Sequence, residues 1–138
     1  MDAFLKMPRA EWPLQHGRPI VEVSLAPAQE GQRLVRRLLA DTGAGDARSG
    51  FELLLSEHDC LSCGGIPLKA IVLGGAYVGS YSVYLLDVQI PELGFKKAVP
   101  AVAVPSPPSG FDGIACFRFL NRWTYGNFGD RTQFGLEI

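Results

Sequence analysis

One aspartate in the chain sits in a setting suited to acid–base work on water: Leu38-Leu39-Ala40-Asp41-Thr42-Gly43-Ala44. An apolar stretch runs straight into the carboxylate, a hydroxyl follows, and glycine comes next. Two such carboxylates held about 3 Å apart cannot both ionise, so they share a proton. One then acts as base toward water, and the protonated one polarises a carbonyl. In that chemistry Asp41 reacts, the Thr42 hydroxyl fixes the loop by hydrogen bonding, and Gly43 lets the backbone approach a partner loop and a substrate. As a bare string the motif also suits a plain β-turn, where Asp and Gly are common.

The remaining reactive side chains offer less. Cys60-Leu-Ser-Cys63 is half of a zinc site, but no second Cys or His pair completes four ligands, so neither a metal nor a cofactor is expected. With Cys116 the thiols number three, an odd count that argues against a disulfide framework. His16 and His58 lack a nucleophile pattern and read as surface or packing residues. Arg33, Arg36 and Arg37 read as a solvated strand edge rather than an anion site. Asp46 is expected either to bond locally or to meet an arginine across a dimer.

The elements that must position Asp41 are short strands. Sixteen glycines and ten prolines break the 138 residues into brief runs, the texture of an all-β domain rich in turns. Residues 1–17 show no clear period and are expected to form an arm, with one domain over 18–138. Strands are expected over Pro19–Leu25 and Leu34–Ala40, a hairpin that ends at Asp41, and then over Phe51–Leu55, Lys69–Leu73, Tyr81–Ile90, Val99–Val104 and Phe134–Ile138. Ser56–Pro67 reads as irregular. Gly74-Gly75-Ala76 opens a glycine-rich hairpin tip. Ile114–Trp123, free of Gly and Pro, suits about two turns of helix. Leu38, Ile114 and Ala115 read as core.

The net charge is −1, with no basic stripe, so nucleic acid is not an expected partner. No apolar run approaches the about 20 residues of a membrane helix. With no apolar leader near Met1, a cytoplasmic location is expected.

The ordered set of features resembles the retropepsin family, the retroviral aspartic proteases with their cellular and bacterial relatives. A strand hairpin precedes Asp41-Thr42-Gly43-Ala44, a glycine-tipped flap follows, and Asp112-Gly-Ile-Ala-Cys-Phe-Arg-Phe-Leu-Asn-Arg-Trp123 matches the family's later segment at Asp112, Gly113, Ile114, Phe119 and Leu120. The likeness covers about residues 18–138. Two departures stand out: Cys116 replaces a glycine, and Arg118 replaces an aspartate. The segment from Gly45 to Gly74 is also longer than in compact viral members.

The resemblance implies an all-β closed barrel, half of an acid-protease pair, with one short helix near 116–123 and a flap hairpin. It implies an aspartic endopeptidase with Asp41, Thr42 and Gly43 at the catalytic centre and Gly74, Gly75 and Ala76 on the flap over an extended peptide or protein substrate. One chain holds one such triplet, so the dyad requires a homodimer with Asp41 meeting its symmetry mate. Phe134–Ile138 is expected to interleave with the partner's terminal strands. The alternative is a catalytically weak or inactive retropepsin-like module that dimerises or binds peptides without cutting them.

Overall fold

The structure, a computed structural model, describes residues 7–138. Its first strand, β1 (Arg9–Pro13), alternates exposed Arg9, Glu11 and Pro13 with buried Ala10 and Trp12. Part of the segment expected as an arm therefore packs into the body of the fold; residues 1–6 lie outside the described residues. The expected hairpin follows as β2 (Ile20–Leu25) and β3 (Leu34–Ala40), paired antiparallel from Ile20↔Leu39 to Leu25↔Leu34. β4 (Leu53–Ser56) leads directly into α1 (Glu57–Gly64), where irregular chain was expected. The Ser56 side chain accepts the Asp59 N–H at 3.1 Å, and Gly65, at φ 70°, closes the helix.

β5 (Lys69–Leu73) and β6 (Gly79–Ile90) form the flap hairpin, and β7 (Phe95–Val104) returns along β6. The stretch expected as a two-turn helix splits into β8 (Gly113–Ala115) and the single turn α2 (Phe117–Leu120). Ile114 and Ala115 are drawn into the sheet because β8 lies between β3 and β4, parallel to one and antiparallel to the other. The fit is tight: a Cβ at Gly113 would collide with the Leu54 carbonyl oxygen, so glycine lets three strands meet there.

The strands run in the order β2-β3-β8-β4-β7-β6, and β6 closes onto β2 through Ser24↔Gln89 and Leu25↔Val88. The result is a mostly β protein with a closed six-stranded barrel and two short helices. β5 hangs on β6, and among the described residues no strand pairs with its other edge. Alternation along the strands sends side chains to two cores. On β4, Leu53 and Leu55 enter the main one, while Leu54 joins Val83, Val102, Val104, Ile114 and Cys116 in a second beneath the flap.

The chain ends with β9 (Thr124–Gly126) and β10 (Gln133–Glu137). With β1 they form a separate sheet in the order β1-β10-β9. The register Ala10↔Leu136 and Trp12↔Phe134 sets apolar side chains on one face against the barrel. β10 is thus flanked on both sides by its own chain, and the open edges of this sheet belong to β1 and β9. The interleaving expected of Phe134–Ile138 finds no free edge there. Among the described residues, no helix is long and apolar enough to cross a membrane.

Candidate active site

β3 delivers Asp41 to the end of the barrel beside β8. The parallel pair Ala40↔Ala115 continues as a hydrogen bond from the Asp41 N–H to the Ala115 carbonyl, 3.0 Å. The loop then turns back on itself: the Ala44 N–H donates to the Asp41 carbonyl at 3.1 Å, and the Gly43 N–H donates to Asp41 Oδ1 at 2.9 Å. One carboxylate oxygen is held by the backbone, and among the described residues the other has no hydrogen-bond partner. The Phe117 N–H donates to the Ala44 carbonyl at 2.9 Å, and the Cys116 N–H to the Glu52 carbonyl at 3.0 Å. Residues 115–117 therefore strap the loop of residues 41–52 at both ends.

Side chains of α2 and its exit reinforce this strap. Glu52, 1% exposed, accepts from Arg122 Nε at 2.6 Å and Nη2 at 2.8 Å. Burying a carboxylate is tolerable because that planar fork satisfies both oxygens. Arg118, which stands where the resemblance has an aspartate, donates from Nη1 to the Ser49 carbonyl at 2.8 Å. Asp46 bonds locally, its carboxylate accepting the Arg48 N–H and its own N–H donating to Ser49 Oγ, both at 2.8 Å. Cys116 has φ −83°, ordinary for any residue, so cysteine in place of glycine carries no backbone strain there.

The arginines near β3 are also engaged. Arg36 forks onto Asp59 of α1 at 2.7 and 3.0 Å, and Asp59 is buried. Arg33 meets Asp87 and Arg37 meets Glu22. The expectation of a simple solvated edge misses that Arg36 pins the helix that follows β4.

Opposite the loop stands the flap. Its tip holds a 3₁₀ turn over Gly75–Tyr77 with Gly75 at φ 64°, and the Tyr77 hydroxyl donates to the Ser106 carbonyl at 3.0 Å. Loop and flap enclose a cleft of about 450 Å³. Asp41, Gly43, Gly74, Gly75 and Ala76, far apart in sequence, all line it. Thr42 is exposed and does not line it. Sequence reasoning missed Phe51, Leu54, Leu73 and Tyr77 as cleft residues; Ile114, expected as core, serves both core and cleft. Alternation along β4 and β5 is the signal that could have placed Leu54 and Leu73 on the site-facing side.

Asp41 is the one carboxylate among the described residues lining the cleft. Cys116 lines it too, but burial, with the charges of Asp41 and Glu52 behind it, pushes its thiol up to about 12. A thiol held protonated through neutral pH is a poor nucleophile, which leaves Asp41 as the candidate for acid–base work in this cleft. Cys60 is likewise buried on α1 and pushed up to about 12, first by desolvation. No group of three or more His, Cys, Asp or Glu side chains gathers as metal ligands among the described residues. His16 packs edge-on against Phe111 with centroids 5.9 Å apart, and His58 lies exposed on α1. No family model matches the chain, and no curated protein matches it.

Proposed function

We propose that the protein is a retropepsin-like aspartic endopeptidase that works as a homodimer, with Asp41 of each subunit forming the dyad that activates water. The observation that carries this reading is the cleft itself. It places an aspartate at a strand end opposite a glycine-tipped hairpin, with apolar side chains between them. A single carboxylate cannot share a proton with itself, and this one keeps an oxygen free at the half-exposed end of the barrel. A second copy related by a two-fold axis supplies the missing partner. Because β10 is occupied, the subunits meet through the loop at Asp41-Thr42-Gly43 and an open edge of the terminal sheet, β1 or β9. Substrate is an extended polypeptide lying between the dyad and the flaps, adding to the free edge of β5 by backbone hydrogen bonds.

Purified wild type and Asp41→Asn, incubated with a diverse peptide pool from about pH 4 to about pH 7 and read by mass spectrometry, test this reading. Wild type should cut, with activity falling where both carboxylates ionise and where both are protonated. Asp41→Asn should lose at least about a thousandfold in rate while keeping its fold and dimer. Absence of Asp41-dependent cuts in a sample shown to be dimeric would sink the peptidase and leave a peptide-binding module.

A further inference from the structure

The cleft has a charged rim that its apolar lining does not reveal. Lys69, the first residue of β5, is exposed on the free edge of the flap hairpin. Its Nζ lies 2.9 Å from where a Cβ on Gly50 would stand, so the ammonium hangs over the Ser49–Gly50 stretch of the opposite wall. Arg118 reaches the same stretch from below, bonding the Ser49 carbonyl at 2.8 Å with its side chain 40% exposed. Two cations on two separate elements therefore converge on the Ser49–Gly50 stretch, of which Ser49 lines the cleft.

Neither cation is well neutralised. No carboxylate lies within 4.0 Å of Lys69 among the described residues, and the nearest to Arg118 is Glu52 at 4.0 Å. Glu52 is already held by both arms of the Arg122 fork, so that pair cancels itself. Asp46, on the same loop, forms no ion pair within 4.0 Å among the described residues; its carboxylate accepts the backbone N–H of Arg48. Lys69 and Arg118 together still outnumber it, so this stretch keeps a positive excess. The Ser49–Gly50 stretch follows Asp41 on the same loop, and Ser49 lines the cleft with it.

We propose that Lys69, seconded by Arg118, forms a subsite for an acidic side chain of the bound polypeptide, displaced from the bond that Asp41 attacks. The inference rests on the reading of this cleft as a peptide site. In a two-fold dimer the rim occurs twice, once toward each end of the cleft. The favoured polypeptide then carries an apolar centre flanked on both sides by Glu or Asp. Lys69 is the cleaner probe of the two, because Arg118 also holds the wall.

The test uses the Asp41→Asn protein, which separates binding from cutting. Peptides with a fixed apolar centre and Glu, Gln or Lys scanned through the flanking positions are compared by fluorescence polarisation at low and high salt. Glu should bind about threefold to fivefold tighter than Gln at one position or a symmetric pair, with Lys weakest. That advantage should shrink as salt rises. Lys69→Glu in the same background should reverse the order, so that Lys binds best. No ordering at any position, an ordering that survives Lys69→Glu, or no peptide bound at all would overturn the subsite. Wild type that leaves the tight binders uncut, while the charge ordering holds, would overturn the peptidase and not the subsite.

Discussion

The two walls of the cleft are built on opposite plans. The loop of residues 41–52 is fixed by backbone bonds from Asp41, Cys116 and Phe117, by Arg118 on Ser49, and by the Glu52–Arg122 fork. The flap tip, Gly74–Val78, is tied by the Tyr77 hydroxyl to Ser106 and by the Tyr81 hydroxyl to the Val78 carbonyl, and a Cβ on Gly75 would meet nothing within 4 Å. Segments with few anchors open at low cost, and segments with many open only with the whole domain. The wall that holds the carboxylate is therefore fixed by many bonds, while the opposite wall opens at lower cost. On the proposed peptidase reading this division would suit the site, because pre-set donors and charges cost no reorganisation during reaction.

The sharpest way to break this contrast is to loosen the fixed wall. Glu52→Gln keeps the side chain's size but removes the charge that Arg122 grips with two short bonds. Arg122 keeps partial access to water, so the expected loss is about 2–3 kcal/mol, the scale of hydrogen bonds to charged groups. Urea unfolding should show a lower midpoint with an unchanged slope. Hydrogen exchange in the native state should quicken across residues 43–51 while the flap keeps its wild-type rates. A midpoint equal to wild type would mean that the fork is not what holds this wall.

The contrast was half legible in the sequence. The Asp41 triplet, its strand hairpin and the glycine tip stand out because each has a local signature: an apolar run into Asp-Thr-Gly, and Gly-Gly between two β-branched runs. The supports of the fixed wall do not. Arg122 lies 70 positions from Glu52 and Arg118 lies 69 from Ser49, separations that no spacing rule connects, and these groups meet only once β8 slots between β3 and β4. Two omissions did have a local sign. Ser56 followed three residues later by Asp59, with Gly64-Gly65 beyond, is a helix start and stop, and it marks α1. Arg9 to Pro13 alternates with period two and marks β1. The expected two-turn helix over 114–123 fell short because tertiary pairing claims Ile114 and Ala115 for the sheet.

The buried thiols sharpen the comparison at intermediate strength. Cys116 backs the fixed wall and Cys60 sits on α1; burial pushes both from an ordinary 9.0 up to about 12. The folded chain thus keeps protons that the unfolded chain gives up near pH 9. Their contribution to stability is full below that pH and is lost as the pH climbs from about 9 toward 12. Thermal unfolding between pH 7 and pH 10.5 should therefore show a steeper alkaline fall for wild type than for the Cys60→Ala, Cys116→Ala double variant. Parallel curves would show that the thiols are not sealed as described.

The smallest effect belongs to the mobile wall. Tyr77→Phe leaves the ring among Phe51, Leu73 and Tyr81 in the second core and removes only the hydroxyl that reaches Ser106. One neutral hydrogen bond contributes about 1 kcal/mol net, so the open state of the flap should gain about fivefold in population. Ser106 lies on an exposed turn, where water replaces the lost donor and no buried acceptor is stranded. Amide exchange at residues 75–79 should therefore quicken about fivefold, with residues 41–52 unchanged. If the protein is the proposed peptidase, substrate capture should speed up relative to the chemical step, moving KM more than kcat. Unchanged exchange at the tip would mean that the ring, and not the hydroxyl, holds the flap down. Faster exchange in both walls together would mean that they move as one body, and the division of labour between them would have to be given up.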